Sequence, residues 1–217
     1  FDSLLHLTWR VREQAMDVIE NLTGNRVNYG LVQVGGVRRD IVPEQHKVIE
    51  DCLSAYEGVL TKLLDLFLHD KTIAMRCRDV GVLSKDDALK LCTVGPTARA
   101  SGVNVDLRQD YPYCAYGDLE VRAILPDQYA GETRGDVYDR IVVRLLEVGQ
   151  SCGIIRQCIS EMPAGEITAE PKLAKLLAIC KKARGEAIGR VEAPRGECFH
   201  YVLMEGKEAP HAWKVKA

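Results

Sequence analysis

The stretch DVYDRIVVRLLEVGQSCGIIRQCIS, residues 136–160, decides the fold class. Ile141, Val142, Leu145, Val148, Cys152, Ile155 and Ile159 recur three and four residues apart, the period of one helix face. Asp136 stands where an N-cap belongs, with Asp139 three residues on, and Pro163-Ala164-Gly165 stops the run. A second run opens at Pro43, a first-turn position, and carries Ile49, Cys52, Tyr56, Leu60, Leu63 and Phe67 to about His69. A third fills residues 3–22, with Gly24 as its left-handed stop. Three long amphipathic helices predict a core of helices packed on one another.

Around that core the signals are weaker. Ser84 with Asp87 predicts a short capped helix ending near Leu91. Residues 27–34 are uncharged and rich in β-branched side chains, which predicts a short strand or a buried extended run. Residues 92–135 lose periodicity and gain Gly, Pro and Tyr. They predict a long irregular segment with one strand, 119–124. Residues 171–183 predict a helix with Leu173, Leu176, Leu177 and Cys180 inward. The tail predicts strands at 187–192, 198–204 and 211–217, the last half-buried because Trp213 and Val215 alternate with Lys214 and Lys216. The fold class expected is mainly α with a small antiparallel β part, α+β. Its division is a helical core over 1–185, irregular near 93–135, with C-terminal strands over 186–217 packed on it as one truncated domain.

Composition narrows the function. The chain has 217 residues, 29 Lys+Arg against 31 Asp+Glu, and a net charge of −2. Without a basic field, nonspecific nucleic-acid binding is not expected. The longest run free of Asp, Glu, Lys and Arg is residues 27–37, too short for a membrane span of about 20 residues. Eight cysteines are scattered with no C-x-x-C pair and no zinc-finger spacing. They predict buried free thiols rather than a disulfide framework. The five histidines lack a Cys or carboxylate at metal spacing, so no metal ligand is assigned within the chain. The chain starts at Phe1 inside a helical pattern and ends at Ala217 inside a strand pattern, as an excerpt of a longer polypeptide would.

Three segments put charge beside glycine or proline. Gly35-Gly36-Val37-Arg38-Arg39-Asp40 combines close backbone approach with planar donors for carboxylate or phosphate; the plain alternative is a turn with solvated arginines. In Arg99-Ala100-Ser101-Gly102-Val103-Asn104-Val105-Asp106-Leu107-Arg108, Asp106 and Arg108 can share an ion network with Arg99. Tyr111, Tyr113 and Tyr116 follow, a composition suited to a wet interface. In Glu192-Ala193-Pro194-Arg195-Gly196-Glu197 the proline stiffens and the glycine permits a sharp turn, holding Arg195 between two strands. A fixed guanidinium there polarises a small substrate or stabilises a transient anion; the alternative is a structural turn arginine.

These segments, with Thr23-Gly24-Asn25-Arg26 and Gly135-Asp136-Val137-Tyr138-Asp139-Arg140, resemble one superfamily across essentially the whole chain and in the same order. It is that of the nickel–iron hydrogenase large subunit, in its energy-converting membrane-bound branch, together with the 49 kDa subunit of respiratory complex I. Three features resemble the hydrogenase branch. Asn28 stands where complex I has a His, the turn reads Ala193-Pro194-Arg195-Gly196 rather than Ser-Ala-Arg-Gly, and His200 lies in Phe199-His200-Tyr201.

The resemblance implies a fold of long helices. It also implies a catalytic subunit that rests on a small iron–sulfur subunit and on membrane-arm subunits. Its place would be the cytoplasmic, inner face of the cell membrane. A nickel–iron centre for proton reduction or dihydrogen oxidation is implied in the full-length protein on the hydrogenase reading, and quinone on the complex I reading. A third reading is a docking scaffold without catalysis. Arg195 would hang over the reacting centre and Pro194 would shape its pocket. Arg26, Arg38, Arg39 and Asp40, with Arg99, Asp106 and Arg108, would face the partner or its cluster. The family's metal is held by two C-x-x-C pairs that these residues lack. Soft thiolates are what nickel and iron require, so no cofactor is expected in this chain and the isolated chain is expected to be silent.

Overall fold

The computed structural model describes residues 2–216, and its class is α+β. The three long helices are α1 (Asp2–Thr23), α2 (Pro43–His69) and α8 (Val137–Glu161). Between them run β1 (Val32–Gln33), β2 (Gly36–Val37), α3 (Lys71–Cys77), α4 (Lys85–Lys90), α5 (Gly95–Ala100), α6 (Leu107–Asp110) and α7 (Asp127–Ala130). After α8 come α9 (Leu173–Cys180), β3 (Arg184–Ala193), β4 (Gly196–Glu205) and β5 (Ala212–Lys216).

The core lies along α8. Phe67, Ile73, Cys77, Tyr138 and Val142 join α2, α3 and α8, while Ile49, Leu53 and Cys152 join α2 and α8 under Val18 and Leu22 of α1. Val142 and Val143 are completely buried, each worth about 1.5–3 kcal/mol in area removed from water. Tyr138 keeps its hydroxyl satisfied by donating to the Phe67 carbonyl at 3.0 Å, and the Arg78 guanidinium lies 4.0 Å over its ring. Arg156 ties α8 to α2 by bridging Glu50 and Glu57. Asp136 caps α8, its Oδ1 accepting from Asp139 N at 2.9 Å.

β3, β4 and β5 form an antiparallel sheet in sequence order, with Ala193 paired to Gly196 across a two-residue turn. β1 and β2 form a hairpin. Gly36 fits there because a Cβ would come within 2.2 Å of the Ile167 carbonyl, and its φ is +146°. Val37 N donates to that carbonyl at 2.9 Å and Ala169 N to Gly35 O at 2.8 Å, which ties the segment after α8 to the hairpin.

Several expectations need correction. Residues 119–124 form no strand, and Val121 N donates to Leu119 O at 2.9 Å in a tight turn. The amides of Glu120, Arg122 and Ala123 donate to side-chain oxygens of Gln157, Gln150 and Gln109 at 2.9, 3.2 and 2.8 Å. Residues 92–135 also hold α5, α6, α7 and a 3-10 turn at Tyr116–Asp118. The run 27–34 is not buried: Val27, Val32 and Val34 are exposed, and only Val32–Gln33 is strand. α9 is shorter than 171–183 and buries no residue, with Leu173 and Leu177 exposed. Trp213 and Val215 of β5 are exposed as well. No cysteine is paired among the described residues, but burial is uneven: Cys77 and Cys152 are buried whereas Cys92, Cys114 and Cys158 are exposed.

Candidate functional site

The site grows from Arg99 on α5. Its guanidinium is 2% exposed and donates through Nε to Glu147 Oε1 at 2.7 Å. Nη1 donates to Glu192 Oε1 and to the Val105 carbonyl, each at 3.0 Å, and lies 3.3 Å from Asp106 Oδ2. Asp106 caps α6 by accepting from Arg108 N, and the Arg108 side chain grips the same carboxylate through Nε and Nη2 at 3.0 and 2.8 Å. Glu192 Oε2 accepts from Leu107 N at 3.3 Å, and Glu192 N donates to Tyr113 Oη at 3.0 Å. Helices α5, α6 and α8 and strand β3 thus meet at one buried ion network.

Each carboxylate feels a different balance. Burial pushes Asp106 up, but the Arg108 hydrogen bond and the Arg99 charge outweigh it and hold the carboxyl below its ordinary range. Burial pushes Glu147 up as well, and Arg99 does not fully offset it. The Arg108 guanidinium is held more firmly protonated by Asp106.

The network seats the β3–β4 hairpin. Glu192 stands two residues before Pro194, and beyond the turn Gly196 is buried against Gly95. A Cβ on Gly95 would come within 2.3 Å of Gly196 Cα, so two backbones touch where no side chain fits. Held through Gly196, the turn leaves both Pro194 and Arg195 exposed. The turn docks through its backbone, and the Arg195 guanidinium, expected to hang over a reacting centre, is exposed among the described residues. A cavity of about 390 Å³ opens beside it, lined by Arg99, Arg108, Arg144, Glu147, Glu192 and Pro194.

The other named residues lie apart from this network. Arg26 donates to Asp17, Glu20 and Glu13 of α1 at 2.5, 2.8 and 2.7 Å. Arg38, Arg39 and Asp40 are exposed, and the two arginines border a polar hollow of about 290 Å³ with Asn25 and Asn28. No hydrogen bond or ion pair joins either group to Arg99 among the described residues. Arg99 and Asp106 are buried and Arg108 is largely so, their charges spent on one another and on Glu147 and Glu192.

Sequence reasoning missed Glu147. The available signal was spacing: Val143, Glu147 and Ser151 share a second face of α8, one turn apart, and Val143 is completely buried. It also missed Gly95 as the partner of Gly196.

A nickel–iron centre does not fit these residues. No three His, Cys, Asp or Glu side chains gather in a metal-holding group among the described residues, and the cysteines are dispersed. No described helix is long and apolar enough to cross a membrane.

Residues 2–217 match the family model for the respiratory-chain NADH dehydrogenase, 49 Kd subunit. The membrane-bound hydrogenase subunit alpha of Pyrococcus furiosus is 46% identical over 219 residues, covering 100% of this chain and 51% of that protein. An NADH-quinone oxidoreductase subunit of Dehalococcoides mccartyi strain BAV1 is 33% identical, covering 96% of this chain and 54% of that protein. An F(420)H(2) dehydrogenase subunit of Methanosarcina mazei is 33% identical, covering 100% and 56%. The chain belongs to the 49 kDa subunit family of the respiratory-chain NADH dehydrogenase, as the resemblance implied. It spans about half the length of these relatives.

Proposed function

We propose that this chain is part of the catalytic large subunit of a membrane-bound, energy-converting hydrogenase. In this reading Arg195 is presented at the reacting centre and Pro194 shapes its approach. The observation that supports it most is the anchored hairpin. Glu192 is held by buried Arg99, and Gly196 is locked on Gly95, so the exposed guanidinium between them sits on a fixed base. Such preorganisation is what stabilising a transient charge requires. The hydrogenase similarity is higher than those to the quinone and F(420)H(2) relatives above.

The soft ligands of a metal centre would come from outside these residues, so no step is assigned to that centre here. Within the chain, Arg195 supplies a permanent positive charge, and the Arg99 network keeps its base from shifting as charge develops. The exposed Arg38–Arg39 turn, together with Arg26, is the face we assign to an iron–sulfur partner subunit, with membrane-arm subunits beyond. Within that assembly the chain sits peripherally, on the cytoplasmic face of the membrane.

A second reading is a quinone-type subunit, favoured by the NADH-quinone oxidoreductase relatives. Metal analysis of the full-length protein purified with its partners separates the two. Stoichiometric nickel with hydrogen-dependent electron transfer is expected. Absence of nickel with turnover of a quinone overturns the first reading in favour of the second.

A further inference from the structure

The carboxylates of the Arg99 network outnumber the guanidiniums that touch them. Asp106, Glu147 and Glu192 face Arg99 and Arg108. Their donors are unequally shared. Asp106 accepts from the Arg108 amide, Nε and Nη2 and lies near Arg99. Glu192 accepts from Arg99 on one oxygen and from Leu107 N on the other. Glu147 accepts only from Arg99 Nε, on Oε1, and its Oε2 has no hydrogen-bond partner among the described residues.

The remaining charge nearby does not complete it. Arg144 lines the same cavity from one turn earlier on α8, but its Nη1 donates to the Arg140 carbonyl and its Nη2 lies 3.5 Å from Thr97 Oγ1. Ser151, one turn later, spends its hydroxyl proton on the Glu147 carbonyl at 2.7 Å. Glu147 is only partly covered, but in a cluster of three carboxylates on two guanidiniums it is the one with the fewest donors, and like-charge crowding places the proton on that member.

We propose that Glu147 is a proton-carrying carboxyl of this enzyme, holding its proton on Oε2 in the cavity at the root of the Pro194–Arg195 turn. Its side chain is 16% exposed and lines that cavity, which also reaches Pro194. The cavity is polar and roomy enough for water. Release breaks the Oε2–H bond and leaves its electron pair on the carboxylate. The proton passes to a water molecule in the cavity, and no electron moves. Arg99 and Arg108 then hold three negative charges instead of two. Burial acts in the same direction, pushing this carboxyl up. The assignment of a proton route to the reacting centre rests on the hydrogenase reading, whereas the protonated carboxyl itself does not.

The test is infrared difference spectroscopy of the full-length complex across a pH titration, with hydrogen turnover followed over the same range. Glu147→Gln and Glu147→Asp are compared with the unaltered protein at equal cofactor content. A protonated-carboxyl C=O band that titrates above the ordinary carboxylate range is expected. It should vanish in Glu147→Gln and persist, shifted, in Glu147→Asp. Turnover should fall about 100-fold in Glu147→Gln and recover in part in Glu147→Asp. A band unchanged in Glu147→Gln overturns the proposal, as does a lost band with an unaltered pH profile of turnover. A complex with the band but no hydrogen chemistry overturns the hydrogenase reading and supports the protonated carboxyl.

Discussion

Arg99 Nη1 donates to Glu192 Oε1 at 3.0 Å, joining α5 to β3 across 93 residues of chain. Both side chains are buried, at 2% and 6% exposure. The pair connects the helical core to the strand that leads into the Pro194–Arg195 turn, so the position of the turn depends on a contact made far away in sequence.

Removing that guanidinium leaves Asp106, Glu147 and Glu192 without their shared partner. Arg99→Leu is expected to cost about 3–5 kcal/mol, as the loss of one partner from a buried ion pair does. Arg99→Lys recovers little, since one ammonium cannot reproduce the separate Nε and Nη1 contacts. Urea denaturation of the protein measures both.

The hairpin tip is sensitive to a single methyl group. Gly196 has φ +124°, and a Cβ there would come 2.7 Å from both Gly95 N and Val94 Cγ2. Gly196→Ala is expected to destabilise the protein by about 1–3 kcal/mol. Amide exchange in β3 near Glu192 is expected to quicken more than that of the buried middle of α8, which rises only by the global loss of stability.

Stability should respond to pH from both sides. Asp106 is held below its ordinary range, so its contribution is present above the unfolded-state pKa and is lost as pH falls through the folded one. Glu147 is pushed up, so its contribution is present below the unfolded-state pKa and is lost as pH rises through the folded one. Glu147→Gln removes only the second loss. Relative to the unaltered protein, its stability should therefore rise with pH over that window in denaturation series at several pH values.

The glutamine contacts along α8 make a local prediction. Gln157→Ala removes the acceptor of the Glu120 amide. Hydrogen exchange at Glu120 should accelerate by about ten-fold, corresponding to one lost hydrogen bond of about 1 kcal/mol or slightly more. Exchange at Ala123, held by Gln109, should not change.

The long helices are legible because each is amphipathic and bounded by residues that act locally, as Asp136 does for α8. The tail strands are legible in alternation, though not in burial, since Trp213 and Val215 are exposed. Residues 119–124 read as a strand because their composition is extended; their amides bond to glutamine side chains instead, a pairing no local pattern reveals. The ion network of Arg99, Asp106 and Arg108 is readable from their closeness in sequence. Its fourth and fifth members are harder. Glu147 and Glu192 stand 48 and 93 residues from Arg99, and only the fold sets them beside it. α3 escapes a sequence reading because Asp70 caps it immediately where α2 ends, so two helices read as one helix and a loop.

The proposed chemistry depends most on Arg195 acting from its anchored turn. The direct measurement is hydrogen turnover of the full-length complex carrying Arg195→Lys, with nickel and iron content and the thermal transition measured on the same preparation. A fall of about 100-fold or more with metal content and stability unchanged is expected of a group that stabilises developing charge. Turnover equal to that of the unaltered complex would contradict the account.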